Sequence, residues 1–172
     1  EDMLNIVESK FLIDDTNLMN AYSDALDVDF SDGYVNNLVI ENVMGDAIDA
    51  SGANLNLLNI RVNQVRDKAI SAGEVSKITI SNCNLDNLGV GIVSKDGSNV
   101  KVSECHIKNA QLAALMSYNK KSFYNNPSLE VKFSNLDSET KFIRQHDTIL
   151  FIDEKLVPYS HLDKNMEQVF HQ

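Results

Sequence analysis

Tryptophan is absent from this 172-residue chain, proline and cysteine occur twice each, and glycine occurs seven times. Without tryptophan no indole platform for a sugar ring exists, although Tyr22, Tyr34, Tyr118, Tyr124 and Tyr159 remain able to stack on one. Basic residues are also scarce: fifteen Lys and Arg against twenty-five Asp and Glu leave a formal charge of −10. Such a surface repels phosphate backbones, and Lys120-Lys121 is the only local basic cluster, so nucleic acid is excluded as a partner. No apolar run is long enough for a helix to cross a bilayer, so membrane insertion is not expected. The first twenty positions lack the basic and then apolar stretches of a secretory leader, and a chain starting at Glu1 reads as an excised domain or mature product. Two cysteines make no soft-metal site, since no histidine is spaced to complete one.

What the chain does have is a period. Val35, Leu57, Ile80 and Val102 form one column, Leu38, Ile60, Cys83 and Cys105 a second, and Ile40, Val62, Leu85 and Ile107 a third, at spacings of 22, 23 and 22 residues. Stepping back by 22 meets Ile13 and Leu18, and stepping forward by 29 meets Val131 and Leu136. A separate column, Leu26, Ile48, Ile70, Ile92 and Leu115, keeps the same phase. Fixed self-similarity of this kind takes precedence over local propensity.

Within each repeat the local period is two, as in Ile78-Thr79-Ile80 and Val100-Lys101-Val102, so the segments are strands. A leucine-rich repeat has a similar length, but its dense Leu framework is missing. Short β-branched strands divided by Asn, Ser, Gly and Asp fit a chain coiling about an axis, with neighbouring coils about 4.8 Å apart in parallel register. The fold class is therefore all-β, a parallel β-helix solenoid of about six coils over residues 1–158, with residues 159–172 as a tail or short capping helix. Leu162, Met166 and Phe170 at helical spacing support that ending, with His161 and His171 as surface residues.

The coils "GDAIDASGANLNLLNI", "DKAISAGEVSKITISNCNLDN" and "VGIVSKDGSNVKVSECHIKN" resemble the right-handed parallel β-helix family of pectate-lyase-like scaffolds, and especially β-helical modules of large secreted or surface microbial proteins. The resemblance spans roughly residues 5–140. It implies an extracellular or cell-surface module, noncatalytic, serving as a rigid spacer or as a contact surface for glycan or protein, with flanking domains. The same scaffold also carries polysaccharide lyases, C5-epimerases and glycosidases, so a fragment of one is the alternative.

Several side chains are candidates for chemistry. Asn20, Asn42, Gln64, Asn87 and Asn109 form a polar column that resembles the inward amide ladder of β-helices, each amide bonding the next. Asp46 and Asp49 fall 22 residues after Asp24 and Asp27, stacking like charges one coil apart. A divalent cation, a buried hydrogen-bond network or solvation must relieve that repulsion, and calcium is the one cofactor considered. Cys83 and Cys105 are expected as small buried thiols, because side chains in a ladder point parallel rather than toward each other, with a disulfide as the alternative since their stacking separation fits its Cα spacing.

Arg61, Asn84 and His106 share one solvent face, which suits an acidic polysaccharide but lacks a paired acid for catalysis. The insertion near 117–127 breaks the period with Tyr118, Lys120, Lys121, Phe123 and Tyr124. Insertions in solenoids become loops on one face, so these five residues are the candidate ligand-binding set.

Overall fold

The structure, a computed structural model, describes residues 1–137 and 141–160. Coil one holds β1 (Leu4–Val7) and β2 (Lys10–Ala21), and coil two repeats them as β3 (Leu26–Asp29) and β4 (Asp32–Val43). β5 (Ile48–Ser51) opens coil three, after which β6 (Asn54–Gly73) and β7 (Lys77–Lys95) each run through bends into the following coil. β8 (Asn99–Ser103) belongs to coil five, and β9 (His106–Tyr118) passes from coil five to coil six. β10 (Ser128–Lys132) and β11 (Asn135–Leu136) complete coil six. β12 (Phe142–Arg144), β13 (Ile149–Ile152) and β14 (Lys155–Leu156) form the last turn. The stack has seven coils, one more than the sequence columns resolve, because the spacing becomes irregular after Leu136.

Three walls result. The first is β1, β3, β5 and the closing segments of β6, β7 and β9, ending in β12. The second joins the opening segments of β2, β4, β6 and β7 to β8, β10 and β13. The third joins the later segments of β2, β4, β6 and β7 to the start of β9 and to β11. All of these pairings are parallel; β13 and β14 alone pair antiparallel among the described residues. Leu26, Ile48, Ile70, Ile92 and Leu115 lie in consecutive register, each fully buried, as the period requires.

The bends between walls are made by single residues in the left-handed backbone region. Between the second and third walls these are Asp15, Asn37, Asn59, Asn82, Glu104 and Phe133, with φ between 48° and 57°. After the third wall they are Asn20, Asn42, Gln64, Asn87 and Asn109, with φ between 52° and 64°. Asn tolerates this region better than most residues because its short side chain bonds locally. Within this column only Asn42 bonds another member, donating to Asn20, while Asn87 and Asn109 donate to Asn63 and Asp86 instead. All five of these side chains are exposed, contrary to the inward placement expected from sequence. A bend that turns the backbone left-handed swings its Cβ out of the coil.

Two further expectations change. Cys83 and Cys105 are joined as a disulfide between adjacent coils, with Cα atoms 4.4 Å apart, close enough for the two side chains to meet. On the outer side of the first wall a second apolar cluster forms from Val90, Val93, Ala113, Met116, Tyr118 and Ile143. Val93, Met116 and Ile143 are register partners facing away from the main core, yet each is buried. Among the described residues there is no helix, and the expected tail beyond 160 lies outside them.

Candidate functional site

The third wall presents a polar face. Arg61, Asn84 and His106 stand in direct register on successive coils, preceded by Asn17 and Val39 in the same column. Alternation along each strand turns this column outward while Ile60, Val62 and Leu85 turn inward, so the sequence rule for strands places it. Beside the column runs the left-handed bend, which raises Asp15, Asn37, Asn59 and Asn82 as one rim of a groove of about 710 Å³. Asn37 Nδ2 donates to Asp15 Oδ1 at 2.9 Å, and Asn82 Nδ2 donates to Asn59 Oδ1 at 2.6 Å. Asn59 Nδ2 donates to Asn36 Oδ1 at 2.9 Å, so the rim amides are held in pairs, Asn37 on Asp15 and Asn82 on Asn59.

The opposite edge of the wall carries the second ladder. There Asn42 Nδ2 donates to Asn20 Oδ1 at 2.7 Å, Asn87 to Asn63 Oδ1 at 2.9 Å and Asn109 to Asp86 Oδ1 at 2.7 Å. Gln64 shares the backbone geometry, but Asn87 reaches past it to Asn63. The polar column in the sequence located this edge. It missed the other, because the Asp15 to Phe133 column mixes four residue types and shows itself only through φ.

The four aspartates are distributed along the turn and the first wall rather than drawn together. Asp24 Oδ1 accepts the backbone N–H of Asp46 at 2.6 Å, and Asp46 Oδ1 accepts the backbone N–H of Lys68 at 2.9 Å. The Lys68 ammonium closes this series, 3.1 Å from Asp46 and 2.7 Å from Asp67. The repulsion foreseen between stacked acids is thus met by backbone donors and one buried cation. Burial pushes the Asp46 carboxyl up to about 7, with Lys68 working against it. Burial also opposes the Lys68 charge, but Asp46 and Asp67 outweigh it and hold the amine protonated.

Asp27, which accepts from Asn5 Nδ2 at 2.6 Å, is pushed up to about 6 by burial and by the charges of Asp29 and Asp49. Asp49 lies 3.9 Å from Lys95. Among the described residues no three His, Cys, Asp or Glu side chains converge as metal ligands do. These acids occupy the turn and first wall, whereas His106 is on the third.

The insertion is a built loop rather than an open one. Asp96, 1% exposed, accepts the backbone N–H groups of both Lys120 and Lys121 at 2.7 Å. Asn119 Nδ2 donates to Asn126 Oδ1 at 2.6 Å, and Lys121 pairs with Glu74. Phe123 is 77% exposed and its ring centroid lies 4.6 Å from that of Tyr124. Tyr118 departs from this set. At 2% exposure it belongs to the outer apolar cluster, where burial pushes its hydroxyl pKa up, and its ring is not open to a ligand.

A family model described as right handed beta helix region matches residues 5–140. Comparison with curated proteins finds no match. Among solved structures the chain is similar to the trypsin-treated form of QnrB1, a plasmid-mediated fluoroquinolone resistance protein, at 10% identity over 97% of this chain and 94% of that one, with a TM-score of 0.25. A likeness that slight carries no argument here.

Proposed function

This chain belongs to the right-handed β-helix family, and from that premise we propose that it is a noncatalytic module of an extracellular or cell-surface protein whose third wall contacts polysaccharide. The observation that carries the reading is the groove along Arg61, Asn84 and His106 with its amide rim. Amides supply a donor and an acceptor at each coil spacing, which suits a chain of sugar hydroxyls repeating along one axis. Arg61 adds a planar cation able to hold a carboxylate through two bonds, so carboxylated sugars fit this face better than neutral ones. Stacked parallel coils cross-linked at Cys83 and Cys105 keep the rim in place, which lowers the ordering cost of binding.

The test is calorimetric titration with polygalacturonate and with a neutral glucan. Arg61→Ala combined with Asn84→Ala is expected to weaken polygalacturonate binding roughly tenfold or more, from the loss of polar contacts that each contribute on the order of 1 kcal/mol. Unchanged affinity in that double variant, or no binding by the parent chain, removes the assignment. The melting temperature is expected to stay where it was, because both side chains are exposed.

A further inference from the structure

We propose that Lys68 and Asp46 are the two ends of an intramolecular isopeptide bond, formed by condensation of the Lys68 amine with the Asp46 carboxyl and assisted by Asp67. Lys68 Nζ lies 3.1 Å from Asp46 Oδ1 and 3.4 Å from Oδ2, so it faces both oxygens of the carboxyl whose carbon it attacks. Asp67 Oδ2 stands 2.7 Å from the same nitrogen, within reach of the proton that must leave it. The Lys68 backbone N–H donates to Asp46 Oδ1 at 2.9 Å, which marks Oδ1 as the oxygen that carries the developing negative charge and leaves Oδ2 to depart. A nucleophile, an electrophile, a base and an oxyanion donor thus meet at one point, which a simple ion pair does not require.

Two features of the chain build this site. The stack sets Asp46 and Lys68 22 residues apart, at the same place in successive turns. Successive residues of a regular strand point to opposite faces, but between Val65 and Lys68 the register against coil four slips by one residue. The slip falls at Arg66 and Asp67 and turns the Asp67 carboxylate back onto the Lys68 amine. Gly89 makes room for it, since a Cβ there would come 2.3 Å from the Arg66 carbonyl oxygen and 2.7 Å from that of Asp67. The side chains of Lys68 and Asp46 are 11% and 7% exposed and that of Asp67 46%, so the reacting pair is shielded while the base keeps a route to solvent. Next in the Lys68 column come Val90 and Ala113, both members of the outer apolar cluster.

The reaction balances without a co-reactant. Lys68, protonated at rest, passes one proton to Asp46 Oδ2, a transfer favoured by burial, which pushes that carboxyl up. The neutral amine then adds to Cγ as Asp67 takes a second proton, and the carbonyl π electrons move onto Oδ1. Oδ1 reforms the carbonyl, and Oδ2 leaves as water with the proton that Asp67 returns. The products are one amide and one water, and two charges that were costly to bury are gone. The amide oxygen keeps the Lys68 backbone N–H, and the amide N–H donates to Asp67, so no buried polar group is orphaned. Holding amine and carboxyl in contact at a shielded site supplies the effective concentration that condensation lacks in bulk water. The bond ties the turns that follow coils two and three, as the disulfide of Cys83 and Cys105 ties coils four and five.

Mass spectrometry of the full chain after disulfide reduction tests the assignment. The parent is expected to be lighter than its sequence by one water. Trypsin is expected to leave residues 67–77 joined to residues 11–61 through Lys68 and Asp46, with no cleavage after Lys68. Lys68→Arg is expected to restore the full mass. Asp67 is nearly half exposed, so Asp67→Asn is expected to keep the parent's circular dichroism spectrum while lowering the bonded fraction roughly tenfold or more in samples of equal age. A folded parent at its unmodified mass, a water lost only from a linear peptide as a succinimide or an N-terminal ring, or a bond formed as fully in Asp67→Asn as in the parent overturns the proposal.

Discussion

At the scale of single residues, the bends make the strongest demands on the sequence. Asn87 holds φ at 56° while its amide donates outward to Asn63. A Leu at that position keeps no buried donor waiting, so its cost comes from the backbone, about 1–2 kcal/mol for an L-residue forced left-handed. Asn87→Gly is expected to leave the urea midpoint nearly unchanged, since Gly adopts this region freely. Urea titrations of both variants check this, and an Asn87→Leu protein as stable as the parent would show that the φ requirement is slack. At the other bend, between the second and third walls, Glu104 and Phe133 hold φ at 56° and 50°, so a left-handed bend prefers a favourable residue type without requiring it.

Among the elements, the insertion after β9 divides into a buried root and an exposed tip. Tyr118 ends the strand inside the outer apolar cluster, and Phe123 and Tyr124 stand beyond the Asp96 clamp. Tyr118→Ala is expected to destabilise the fold by about 3–5 kcal/mol, the range for emptying a buried aromatic site. Tyr124→Ala, at a partly exposed position, is expected to cost far less. Thermal melts of the two single variants make the comparison, and equal losses would contradict the division. The sequence marked the insertion correctly through its broken period. It grouped Tyr118 with the exposed aromatics because nothing local shows that the outer side of the first wall is covered at coils five to seven.

For the molecule as a whole, the net charge of −10 is unevenly distributed, with Asp24, Asp27, Asp29, Asp46 and Asp49 gathered on the turn and first wall of the opening coils. Burial, and then Asp29 and Asp49, raise Asp27 from 3.8 in a free side chain to about 6. Between those values the folded chain binds a proton that the unfolded chain does not. Stability from this group is therefore present below the lower value and lost as pH rises through the upper one. The melting temperature is expected to be higher near pH 5 than at pH 7, by a modest amount because Asp27 is partly solvated. Asp27→Asn is expected to flatten that slope. Calorimetric scans across the interval check it, and a parent slope of the opposite sign would mean that other groups dominate.

The repeat was legible from sequence alone because a solenoid is nearly one-dimensional: each coil packs mainly on its neighbours, so a fixed period in the chain becomes a fixed stack in space. Wall assignment followed, since alternation along a strand sends Ile60 inward and Arg61 outward whatever the rest of the chain does. The face shared by Arg61, Asn84 and His106 was found in that way. What the period could not supply was the direction of side chains at the bends, where one left-handed residue turned the Asn87 column outward. Nor could it decide that Cys83 and Cys105 approach closely enough to bond, or that Lys68 neutralises Asp46. Those outcomes depend on sub-ångström geometry between coils and on burial, and only the assembled stack determines either.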